Sequence, residues 1–94
     1  MIVWDEAKRQ ANLEKHGFDF ADAYLVYDNP EKVTVTFVRN GESRKLDTAI
    51  VEVLGAILAL VYVDRGEDAR VISFRYASRQ ERRRYEKARA DKPD

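Results

Sequence analysis

Two stretches of this 94-residue chain carry side chains that could do chemistry on a negatively charged group. One is VISFRYASRQERRRYE, from Val71 to Glu86, where an apolar alternating run hands over to a block of arginines. A guanidinium forks onto two phosphate oxygens, whereas a lysine offers only a point charge, so an excess of arginine suits phosphate. Arg79, Arg82 and Arg83 lie three and four positions apart, which gathers them on a helix, with Glu86 able to pair with Arg82 or Arg83. The plainer reading of that block is a solvated helix decorated with ion pairs. The other stretch is Lys15-His16-Gly17. His16 is the sole histidine, and its ordinary pKa lies where general acid–base work prefers it. In a last helical turn it could equally be a cap that favours the negative helix end. Glu81 has a similar double reading. It completes the capping-box pattern S-x-x-E from Ser78, and beside arginines it would stay ionised and act as a weak base.

Composition narrows the chemistry. There is no cysteine, so disulfides and thiolate metal sites are excluded, and a single histidine cannot make a histidine cluster. No tight acidic cluster such as D-x-D occurs, which favours chemistry without a metal or other cofactor. No G-x-S-x-G, P-loop or dinucleotide fingerprint is found. The formal net charge is zero, but residues 1–64 carry 7 Lys+Arg against 11 Asp+Glu, while residues 65–90 carry 9 against 4. An acidic front and a basic back suit a polyanion on one surface and a second partner on another. The longest apolar run, AIVEVLGAILALVYV, has 15 residues and contains Glu52, too short and polar to span a bilayer. With no secretory signal visible, a cytoplasmic protein without membrane contact is expected.

The elements that must position these residues follow from local signals. Asp5 is the expected N-cap of a helix to about His16, closed left-handed by Gly17. Asp19 caps a second expected helix, with Phe20, Ala23, Tyr24 and Tyr27 on one face, broken at Asn29-Pro30. From Lys32 the period drops to two, and VTVTFV predicts a strand. Asn40-Gly41 is a hairpin turn, followed by strands over about 43–51, 56–63 and 69–76. Alternation would place Arg70, Ile72, Phe74 and Tyr76 on one face and Val71, Ser73 and Arg75 on the other. A last helix runs from Ser78 to about Arg89. The expected class is α+β: two N-terminal helices, a four-stranded antiparallel meander and a C-terminal helix, with the helices covering one face. Residues 1–90 form one domain, and 91–94 are expected to be a disordered tail.

Taken together, WDEAKRQANLEKHGFDFADA, VYVDRG, RVISFRYAS and RQERRRY resemble the BrnT family of type II toxin–antitoxin toxins. The resemblance runs in order from Trp4 to Tyr85 and rests on the combination: W-D-x-x-K-x-x-x-N with K-H-G and F-x-x-A, then Y-x-x-R-G, then R-[IV]-I-S-x-R-x-A-[ST]-x-x-E-x-x-x-Y. It implies a RelE-like fold, growth inhibition by RNA cleavage, and neutralisation by a BrnA-like antitoxin. It further implies an assembly, expected as 2:2, that binds operator DNA through the antitoxin. The sequence departs from the family pattern at Phe74, where a small residue is usual, and at Tyr76, where a basic one is usual.

The leading expectation is therefore a metal-independent endoribonuclease in which the RNA 2′-hydroxyl attacks phosphorus. Arg65 and Arg75 are candidate catalytic phosphate clamps, and His16, Glu81 and Tyr85 are candidate proton carriers with base and acid unassigned. Lys8, Lys15, Arg70, Tyr76, Arg79, Arg82 and Arg83 are candidate RNA-binding residues, Tyr76 by stacking on a base. The alternative, motivated by Phe74 and Tyr76, is a decayed toxin homologue that acts as an antitoxin-binding and RNA-binding module without cleaving. A stand-alone DNA-binding regulator fits less well, because no recognition helix is evident.

Overall fold

The computed structural model describes residues 1–91. In chain order it contains β1 (Ile2–Val3), α1 (Glu6–His16), a 3-10 turn (Phe20–Asp22), α2 (Tyr24–Tyr27), β2 (Val33–Arg39), β3 (Glu42–Val51), β4 (Ala56–Arg65), β5 (Asp68–Tyr76) and α3 (Arg79–Ala90). The five strands form one sheet in the order β1-β5-β4-β3-β2. β2 to β5 are the expected antiparallel meander. β1 adds a parallel edge strand beside β5, pairing Ile2 with Ala69 and Val3 with Arg70, so the sheet is mixed and not purely antiparallel. Two residues are too few to show a period, and their partners stand 67 positions away, so local patterning carried no sign of them.

The local signals otherwise act as their chemistry requires. The Asp5 carboxylate accepts from the amides of Ala7 and Lys8 at 2.8 and 3.2 Å, and Gly17 ends α1 at φ +77°. Asn40 and Gly41 both take positive φ in the β2–β3 hairpin. Ser78 and Glu81 exchange both hydrogen bonds of a capping box at the start of α3. The second expected helix is a correction. Asp19 caps as foreseen, accepting from the Ala21 amide, but the segment is a 3-10 turn followed by a single α turn. Phe20, Ala23 and Val26, three apart, all reach the core from these tight turns, and that spacing matches the three residues per turn of a 3-10 helix. The expected tail at 92–94 lies outside the described residues; Asp91 closes α3.

The helices cover both faces of the sheet, not one. On one face, Phe20, Ala23 and Val26 pack onto Ala49, Leu58, Leu60, Val71 and Phe74. Asp47 is fully buried on this side; it is paired with the Lys32 ammonium at 2.8 Å and accepts from the Thr34 hydroxyl at 2.6 Å, which offset its desolvation. On the other face, Leu46, Ala59, Val61 and Ala77 form a smaller cluster. The buried Tyr85 of α3 lies beside Ile57, which packs against this second cluster, and Arg89 reaches Glu31 before β2. α3 thus covers only part of that face. The part it leaves open is where the chemistry-bearing residues gather.

Candidate active site

A break in one strand's alternation turns two basic side chains to the same face. Val61 pairs with Ser73, but the next residue, Tyr62, pairs with Val71, so Ile72 is an extra residue in a β-bulge. Cross-strand partners share a face. Arg70, Ser73 and Arg75 pair with Val63, Val61 and Ala59, which alternate along β4 and therefore point the same way. Val71, Phe74 and Tyr76 pair with Tyr62, Leu60 and Leu58 and point to the opposite face. This overturns the sequence expectation that Arg70 would share a face with Phe74 and Tyr76. A regular strand would have put Arg70 and Arg75, five apart, on opposite sides; the bulge puts them on one.

α1 lies against this strand and is held there by side chains. Arg9 forks onto Asp19 at 2.7 and 2.8 Å, tying the helix to the turn that follows it. The buried Asn12 amide donates to the carbonyl of Phe74 at 2.7 Å and accepts from its N–H at 3.1 Å. It also donates to the Phe18 carbonyl at 2.9 Å. Asn12 therefore pairs with β5 beyond the point where β1 ends, and satisfies backbone groups that would otherwise be orphaned. Lys8, Asn12, Lys15 and His16 fall at i, i+4, i+7 and i+8, one side of the helix. Once Asn12 is fixed on Phe74, the other three must line the cleft along Ile72 and Ser73.

That cleft continues across Ile72 and Ser73 into a second one, floored by Phe37, Leu46 and Val61 and rimmed by Arg39, Arg44 and Arg75. The Arg75 guanidinium forks onto Glu81, 2.7 Å to one carboxylate oxygen and 3.1 Å to the other, and also donates to the Tyr76 carbonyl. Glu81 thus both starts α3 and aims Arg75. The Arg75 hydrogen bonds hold the Glu81 carboxyl below its usual range, overcoming its burial, so it stays ionised and is a poor base. Burial pushes the His16 pKa below its ordinary 6.5, and the charges of Lys15 and Arg75 push the same way. His16 is neutral at pH 7 and free to take a proton.

The remaining expected residues separate from this group. Arg65 is exposed at the far end of β4, 3.6 Å from Glu42. Six residues of strand from the partner of Arg75 put it about 20 Å away. Tyr76 leans edge-on against Phe18 at 4.8 Å and lines, with Arg82 and Tyr85, an apolar cleft beside α3. Tyr85 is buried, and its hydroxyl has no partner among the described residues. Arg79 and Arg83 are exposed on α3 and line neither cleft of the group. Arg70, on the correct face, lies further along β5, beside Val3. Arg39 and Arg44 were not anticipated. The hairpin register at Asn40-Gly41 puts both on the face of Phe37, a signal readable only once the face of β2 is known.

Fold and cleft together define a small α+β domain with a cationic cleft around a neutral histidine, suited to a polyanion. The model of the family described as ribonuclease toxin, BrnT, of type II toxin-antitoxin system, matches residues 4–81, and the chain belongs to that family. The match takes in His16, Arg75 and Glu81 and stops short of Tyr85. No curated protein matches the chain. Membership implies a ribonuclease toxin with an antitoxin partner. Among the described residues, no helix is long and apolar enough to cross a membrane.

Proposed function

We propose that this toxin is a metal-independent endoribonuclease with His16 as general base and Arg75 as the group that stabilises the reacting phosphate. The observation that carries the reading is the convergence of Lys8, Lys15 and His16 from α1 with Ser73 and Arg75 from β5 at the Ile72 bulge. A ring nitrogen of His16 accepts the proton of the RNA 2′-hydroxyl as that oxygen bonds to phosphorus. The bond from phosphorus to the 5′-oxygen breaks, leaving a 2′,3′-cyclic phosphate and a 5′-hydroxyl whose proton comes from water. Charge gathers on the non-bridging oxygens, where a preorganised guanidinium acts best, and Glu81 fixes that guanidinium in advance. The ammonium groups of Lys8 and Lys15 draw the strand into the cleft.

The domain has a RelE-like architecture in this reading, and a BrnA-like antitoxin neutralises it. A decayed, non-cleaving homologue has less support. Phe74, one of the two departures from the family pattern, is fully buried on the far face of the sheet and fills core instead of altering the cleft. The test is to incubate single-stranded RNA with the purified chain in excess chelator and identify the product ends. Cyclic phosphate ends, absent with 2′-deoxy substrate, are expected. Intact RNA with folded, antitoxin-free protein would falsify the reading.

A further inference from the structure

The cleft beyond Arg75 has a composition the cleavage chemistry does not require. Its floor is apolar, made by Phe37, Leu46, Val61 and Ile72, and its rim is cationic, made by Arg39, Arg44 and Arg75. At about 360 Å³ it has room for a single flat group and its sugar. Phe37 is only half-buried, and Arg39 is exposed with no carboxylate within ion-pair distance among the described residues. The Nε of Arg44 is held by Glu42 at 3.0 Å, which orients it on the rim. An aromatic face beside arginines is how unpaired bases are held, by stacking and by contacts to the adjoining phosphates.

Resting on the ribonuclease reading above, we infer that this cleft is a nucleotide subsite, in which Phe37 stacks the base next to the scissile phosphate and Arg39 contacts the following phosphate. The geometry supports one occupant, a nucleotide of single-stranded RNA. Its floor is continuous, through Ile72 and Ser73, with the cleft that holds His16, so one strand can lie across both. Charge favours the same occupant, since three arginines line this cleft and the one carboxylate lining it, Glu81, is already engaged by Arg75. The subsite makes the β2–β3 hairpin a determinant of which sequences are cut.

The probe is a short single-stranded 2′-fluoro RNA, which lacks the attacking hydroxyl, carrying the fluorescent base 2-aminopurine at each position in turn. Stacking should quench one position with the wild-type chain. Phe37→Leu keeps an apolar floor without the aromatic face, and should abolish that quench and weaken binding by about tenfold. Phe37→Trp should restore both. Arg39→Ala, at an exposed site where folding is not at risk, should lower the salt dependence of binding by about one phosphate contact. A quench that survives Phe37→Leu, or no quench with wild type at any position, overturns the subsite. So does a Phe37→Leu chain that binds RNA normally but loses an acidic antitoxin segment, since the cleft would then be a protein-docking surface. Quenching without cleavage of ordinary RNA would sink the ribonuclease reading and leave Phe37 as a base-stacking site for bound RNA. Cleavage without quenching would do the reverse.

Discussion

The α1–β5 cleft and the arginine-rich helix α3 teach opposite lessons about positive charge. α3 carries more of it: Arg79, Arg82, Arg83, Arg84, Lys87 and Arg89 within 12 residues. Yet these side chains are exposed, Arg89 is engaged by Glu31, and the apolar stripe beneath them serves to seat Tyr85. Around Ile72 and Ser73, by contrast, two lysines and one histidine from α1 line one cleft and Arg75 of β5 lines the adjoining one. A charge on a solvated helix is screened and mobile, and is worth little at any one point. A charge aimed by a half-buried partner, as Arg75 is by Glu81, is already where the reaction needs it. Convergence, and not density, marks the site.

The sharpest way to break that contrast is His16→Gln. Cleavage should fall by about 10²–10⁴-fold, the usual contribution of a general base. The pH profile gives a second readout. Because the His16 pKa is pushed below 6.5, kcat/KM for wild type should rise with pH as the imidazole loses its proton, and level off before neutrality. The glutamine variant should show no such limb; a limb that persists would move the base elsewhere.

Arg75→Lys comes next. It keeps the charge and can still pair with Glu81, but it cannot fork, and cleavage should drop about 10²-fold with a smaller change in RNA affinity. Equal losses in kcat and in binding would mean that Arg75 only holds substrate.

Asn12→Ala tests whether α1 must be clamped to β5. Removing three hydrogen bonds to buried backbone should cost about 2–4 kcal/mol in urea denaturation. At temperatures where the variant stays folded, activity should fall further than Leu13→Ala makes it fall, because Lys8 and His16 lose their seat.

The smallest effect is expected in α3. The double variant Arg83→Gln, Arg84→Gln should keep cleavage within about threefold at physiological salt. A loss as large as that of Arg75→Lys would erase the contrast and make the helix part of the site.

Much of this was legible in the chain because the signals are short-ranged. Asp5, Asp19 and Ser78 cap amides two or three residues away, and Asn40-Gly41 sets its own turn. Period-two patterning, the turn signals and the apolar run together located β2 to β5 within a residue or two. His16, Arg75 and Glu81 could be named as candidates from residue type and spacing, with the family resemblance behind them. Tyr85 and Arg65 were named on the same grounds, and the fold puts them elsewhere. Spacing along a chain cannot tell a buried tyrosine under a helix from one that faces a cleft.

Apart from β1 and the second helix, the elements, their ends and the pool of reactive side chains follow from neighbours a few residues away. Which of those side chains meet depends on long-range pairing. β1 exists because β5 offers it an edge. The extra residue at Ile72 shows only in the pairing of β5 with β4, and that one residue turns Arg70 and Arg75 to the same face. Asn12 seats α1 through bonds spanning 62 positions. Each of these rests on pairing between segments remote in sequence, where face and register belong to the partner as much as to the residue itself.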